Sequence, residues 1–369
     1  MASVPDIILD NPFRVLGVYA NSSYREIVAS VSKATKFMEV DRKVDYPLDL
    51  RRVKNLKVKS KLSHSLADLD NALALISNSE ERLKYAQFWF LRMTPLDDEA
   101  FEYLFAGDSD VALLVWYSED NLSSLQNRII ISLWKGDFKT ALQDAEQLYT
   151  LFPKEFLKAV DSKGTLVKSS ADLAQSFVDT LTANLTPGQL LDSIPSSFWH
   201  DFIVPTVSED AITKIDKALQ DAKYQLEMLN SEGRGADSSL PDKGIGENLL
   251  DNIKDELDLL KKVSAPDNPR LLLTSDRLAN MLYECSIDEF NIRKFSPDYS
   301  IRMLQNALDL SNNSVDKEEI NNKIALFQKK AEKKSGNQSS DDSDLGCLAP
   351  LAVLLFAIIM MVITGKGCH

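Results

Sequence analysis

Apolar positions along this chain recur at three- and four-residue spacing, and strict alternation is scarce. That period belongs to helices with one side turned to a core, so the chain reads as all-α. Ser23-Tyr24-Arg25-Glu26 has the form of a capping box, in which the Ser23 hydroxyl accepts from the third amide and Glu26 reaches back to the Ser23 amide. The helix it opens carries Ile27, Val31, Ala34 and Met38 on one stripe, with Lys33 and Lys36 off it. A second helix is expected over about 62–76, with Leu66, Leu69, Leu73 and Ile76 on one side. Ser77-Asn78 breaks it, and a third helix begins near Glu80. The aromatic run from Tyr85 to Phe90 is expected to form the seam between this section and the next, because large aromatics bury most area per residue.

Beyond Thr94-Pro95 a short pattern recurs. Leu104-Phe105-Ala106-Gly107-Asp108 is followed by Ala112-Leu113, and 29 residues on, Leu133-Trp134-Lys135-Gly136-Asp137 is followed by Ala141-Leu142. Glycine ending one helix at positive φ and aspartate beginning the next suits stacked helical hairpins. Ser208 reads as another N-cap, ahead of Ile212, Ile215, Leu219, Ala222, Leu226 and Leu229, the seam of a coiled coil or long hairpin. Residues 231–246, rich in Gly, Ser and Pro, read as a flexible linker to a matching helix with Leu250, Ile253, Leu257 and Leu260. Further helices are expected at 275–285, 297–310 and 316–330. The domain layout is therefore a helical domain over 10–90, a repeat region over 95–230, a linker over 231–246, a helical region over 247–332 and a polar tether over 333–346.

The last segment changes the picture. Residues 348–364 hold no charge, and the uncharged stretch spans 345–365. At about 1.5 Å per residue it reaches roughly 31 Å, a bilayer's hydrocarbon thickness. A single transmembrane anchor over 347–365 is expected. Lys329, Lys330, Lys333 and Lys334 precede it and only Lys366 follows, which orients the preceding part to the cytoplasm. The opening residues lack a basic start and an apolar core, so no signal peptide is read there.

Composition adds bounds. The 369 residues are 26% charged and 44% hydrophobic, ordinary values for folded domains. The three cysteines, Cys285, Cys347 and Cys368, form no disulfide framework. Cys347 and Cys368, which flank the apolar run, are candidate lipidation sites. A net charge of −13 excludes nucleic acid as a general partner. The charge is uneven, for Lys33 to Lys61 carries a local excess of bases, densest in Arg51, Arg52, Lys54, Lys57, Lys59 and Lys61. That basic island is a candidate contact for an acidic protein or anionic lipid.

Catalytic patterns are weak. His64, His200 and His369 lack partners at metal-ligand or relay spacing, so no metal, cofactor or catalytic residue is assigned. Gly244-Ile245-Gly246 follows no strand, and Asp97-Asp98-Glu99 reads as helix N-terminal charge.

Asn11-Pro12-Phe13-Arg14-Val15-Leu16-Gly17-Val18 resembles the opening of a J domain, the module of DnaJ-type co-chaperones. Ser23-Tyr24-Arg25-Glu26-Ile27 is similar to the start of that domain's second helix, and the stretch from Ala72 to Tyr85 to its third-to-fourth helix junction. The family's His-Pro-Asp trigger is absent, and ungapped counting puts Glu39-Val40-Asp41 in its place. The resemblance implies a partner-docking surface at Lys33, Lys36, Asp41, Arg42 and Lys43 and a heat-shock ATPase chaperone or its clients as partners. The region beyond Pro95 looks loosely like tetratricopeptide-type repeats. The expected function is a membrane-tethered J-like adaptor that binds proteins without stimulating ATP hydrolysis and is not an enzyme. The alternatives are an active co-chaperone using Asp41 or Asp49, and a lipid-binding structural protein using the island.

Overall fold

The computed structural model describes residues 6–40, 65–161, 163–232, 243–293 and 295–336. Among them every regular element is an α-helix, as the three-four spacing requires. The basic island, Asp41, Arg42, Lys43, Asp49 and the apolar run 348–364 lie outside the described residues. No described helix is long and apolar enough to cross a membrane.

The helices group into two compact units. The first comprises the described residues of Met1–Ile215 and Asp255–Ala265. It opens with α1 (Asp6–Leu9), α2 (Pro12–Leu16), α3 (Tyr24–Glu39), α4 (Leu66–Ser77) and α5 (Ser79–Ala86). Asn11 caps α2 by accepting from the Phe13 amide, while its own Nδ2 donates to the Tyr85 and Phe88 carbonyls at 3.0 and 3.3 Å. One buried side chain thus starts a helix and fastens it to a segment more than seventy residues away. The Ser23–Glu26 capping box forms as expected, and Ile27 and Ala34 of α3 face the core. Helix α4 has its own box, between Ser65 and Asp68.

The recurring Gly-Asp pattern yields two hairpins, α6 (Pro95–Ala106) with α7 (Ser109–Trp116), and α8 (Leu122–Lys135) with α9 (Phe138–Leu151). Gly107 and Gly136 end α6 and α8 at φ 94° and 77°, where a side chain is strained. Asp108 and Asp137 then cap α7 and α9 by accepting from the Val111 and Thr140 amides, each at 3.1 Å. Next come α10 (Pro153–Val160), α11 (Ser170–Asn184), α12 (Pro187–Asp192) and α13 (Ser197–Glu232). The expected N-cap at Ser208 is corrected: α13 runs through it, and the Ser208 hydroxyl donates to the Val204 carbonyl one turn back. Pro205 also sits inside this helix, where it removes one backbone bond without ending it.

A single hydrophobic core runs from Ile8 to Val207, so residues on both sides of Pro95 share it. Phe88, Trp89 and Phe90 are fully buried at its centre. Phe88 stacks on Phe177 at 4.8 Å, and Phe90 meets Phe101 edge-on at 5.6 Å.

The second unit comprises the described residues of Asp216–Lys254 and those from Pro266 onward. It includes the part of α13 from Asp216 on, the start of α14 (Ile245–Val263) and all of α15 (Pro269–Ile292), α16 (Pro297–Leu310) and α17 (Ser314–Gly336), with α16 packed against both α15 and α17. Helix α15 starts earlier than expected because Asn268 caps it and Pro269 takes its first position. Gly244-Ile245-Gly246 has a packing role here. The buried Glu289 carboxylate accepts from the Ile245 amide at 2.8 Å and from the Tyr299 hydroxyl, and a Cβ on Gly244 would collide with that tyrosine.

Candidate binding cleft

Every side chain of α8 from Leu122 to Trp134 is buried, including Gln126, Asn127 and Arg128 in mid-helix. Buried polar groups need partners, and Gln126 Nε2 and the Asn127 amide find theirs on the aromatic segment, while Gln126 Oε1 has none. Gln126 Nε2 donates to the carbonyls of Ala86, Gln87 and Trp89 at 3.1, 2.9 and 3.0 Å. Asn127 clamps Leu91 from both sides, accepting from its amide and donating to its carbonyl, each at 2.9 Å. Its Nδ2 also reaches Asp97 Oδ1 at 3.1 Å, an oxygen shared with the indole nitrogen of Trp116. Non-helical backbone is tolerated at the centre of the unit because these amides satisfy it.

Arg128 serves a different place. Its Nη1 donates to Asp120 and its Nη2 to Asp144, each at 2.8 Å, and the guanidinium lies 4.4 Å from the Tyr117 ring centroid. The Arg128 and Asp144 side chains are 3% and 7% exposed, whereas Asp120 is open to solvent. Asp144 Oδ2 has no hydrogen-bond partner. Burial pushes the Asp144 carboxyl up to about 6 against the opposing pull of Arg128, with Asp120 and Asp137 adding to the rise.

These groups line a cleft of about 770 Å³. One wall is a face of α9 presenting Thr140, Gln143, Asp144, Gln147, Thr150 and Leu151, which are three and four residues apart. Across from it are Tyr117 and Asp120 ahead of α8, and Pro195 and Ser196 ahead of α13. The Ser196 hydroxyl donates to Glu146 at 2.6 Å, tying two edges together. Tyr117 and Leu151 expose large apolar surface at the rim. The arrangement offers fixed charge, hydrogen-bonding side chains and two apolar contacts, the chemistry of a surface that holds an extended or helical segment.

Of the residues singled out from sequence, Lys33 and Lys36 are exposed on α3, away from Ile27 and Ala34. His200 is exposed beside Asp201 at 3.8 Å, and Cys285 is buried. Asp97, read as helix-end charge, does cap α6 but is also fully buried as the acceptor for Trp116 and Asn127. Among the described residues no cluster of three or more His, Cys, Asp or Glu is placed to hold a metal ion. Arg128 and Asp144 were not anticipated. The available signal was the polar run Gln126-Asn127-Arg128 inside an otherwise apolar helix.

No protein-family model, curated protein or solved structure matches the chain. The likeness of residues 11–85 to J domains rests on its motifs alone.

Proposed function

We propose that the chain is a protein-binding adaptor held at a membrane by the apolar run 348–364, with its helical part on the cytoplasmic side. The section over 10–90 acts as a J-like module that docks a heat-shock chaperone or its client, and lacks the His-Pro-Asp needed to drive ATP hydrolysis. The observation that carries the reading is the open face of α9 beside a buried ion pair, on a helical hairpin of the kind that grips partner segments. A membrane tether raises the local concentration of whatever is held, which gives an adaptor its effect without chemistry of its own.

A photo-crosslinking residue placed at Gln147 or Leu151 in the full chain tests this, with Glu99 as an exposed control. Discrete protein adducts are expected from the two cleft positions and not from Glu99. Identical adduct patterns at all three positions would sink the reading. Added to the cognate heat-shock chaperone, the full chain is expected to leave its single-turnover ATPase rate unchanged.

A further inference from the structure

We propose that a pocket where α3, α4, α5 and the end of α10 meet binds a phosphate group, through the Arg82 guanidinium and the Lys163 ammonium. The proposal goes beyond the adaptor reading and does not depend on it. The pocket holds about 140 Å³ over a floor of buried Ile27, Ile76 and Val160. A drug-sized ligand needs roughly 300–1,000 Å³, so this space suits a small polyatomic ion and not a peptide. Arg82 is a partly buried cation whose hydrogen-bond partners are neutral. Its Nη2 donates to the Ala20 and Ser22 carbonyls at 3.2 and 2.8 Å. Its Nε is sealed in without a partner, beyond the reach of a ligand. Nη1 is not sealed in and donates to nothing among the described residues, so it is the nitrogen a ligand can meet. Burial pulls the guanidinium down, and only the charge of Asp161 opposes that pull. The Asp161 carboxylate is itself taken up by the loop that follows α10. It accepts from the Thr165 and Leu166 amides at 2.6 and 2.9 Å and from the Thr165 hydroxyl at 2.7 Å. Against this one carboxylate the lining sets two cations, Arg82 and Lys163. Two hydroxyls add donors. Ser22 Oγ accepts from the Tyr19 amide at 3.2 Å, which leaves its own hydrogen to donate, and Tyr24 stands exposed at the rim. Donors that arrive from several elements match a tetrahedral oxyanion, whose bonds to guanidinium and ammonium are charge-assisted.

The test titrates inorganic phosphate with the full chain in phosphate-free detergent micelles at fixed ionic strength and follows the phosphorus NMR linewidth. Saturable broadening is expected, with a Kd of about 1 mM. K163Q should weaken binding about threefold and R82Q about tenfold, while K139Q, exposed on α9, leaves it unchanged. R82Q also gives up the bonds to Ala20 and Ser22 and can disturb folding, so K163Q, at an exposed side chain, decides the matter if it does. The same titration with N-acetyl-phosphoserine amide separates the sources of the group. Tighter binding than inorganic phosphate assigns the pocket to a phosphorylated side chain of a partner, and weaker binding assigns it to the free ion. Absence of saturable broadening, or equal broadening by the parent chain and K163Q, overturns the proposal and leaves the adaptor reading intact.

Discussion

The primary amide of Gln126 donates to three carbonyls of one buried segment, and no second side chain duplicates it at Ala86 or Trp89 among the described bonds. Q126L keeps the volume and removes the donor. The Ala86 carbonyl keeps the Trp89 amide as a donor, so the Gln87 and Trp89 carbonyls are the ones left unmet, and at roughly 1 kcal/mol each a loss of about 2 kcal/mol is expected in urea unfolding. A loss below about 1 kcal/mol would mean that the segment does not depend on this clamp. Asp144 makes a prediction about pH. Its folded value, about 6, lies above the ordinary 3.8, so the folded state holds the proton more tightly. Its contribution to stability is complete below about pH 4 and is lost as pH rises through 6, by at most about 3 kcal/mol. The stability of the parent chain relative to D144N should therefore fall across that window, and a flat difference contradicts the assigned burial. Neither residue was legible beforehand as a site. A sequence shows polar residues in an apolar helix, but whether they meet backbone, each other or solvent depends on partners as distant as Trp89 and Asp144.

At the scale of elements, the hairpins depend on left-handed glycines. G107A and G136A should each cost about 1 kcal/mol, while G188A, at a position with no positive φ and open space for a methyl group, should be neutral or slightly stabilising. Thermal midpoints of the three variants check this, and equal shifts in all of them contradict it. G244A should destabilise the second unit by about 1–3 kcal/mol, because the added Cβ would meet the Tyr299 ring, whose hydroxyl is held by Glu289. These elements were partly readable. The Gly-Asp hairpins and the Ser23 box were plain because cap chemistry is local. Ser208 misled because a serine hydroxyl satisfies a carbonyl one turn back as readily as an amide ahead. Gly244 and Gly246 were opaque because Tyr299 and Met303, the side chains nearest to them, are over fifty residues away.

For the whole molecule, all four tryptophans, Trp89, Trp116, Trp134 and Trp199, belong to the first unit. Tryptophan fluorescence therefore reports that unit alone, while far-ultraviolet circular dichroism reports both. Q126L is expected to shift the fluorescence transition, and G244A to shift only the part of the dichroism curve that fluorescence does not follow. Coincident shifts in both probes for both variants would show one cooperative molecule instead. The all-α class was legible from periodicity. The grouping was not, because the first unit also takes in Asp255–Ala265, a piece separated from the rest of it by the segment Asp216–Lys254. Leu259 from that late piece packs against the core built by the earlier helices. On the ribosome, the first body stays unfinished until its closing strip has cleared the exit tunnel, so the nascent chain must begin its second body before it can seal its first.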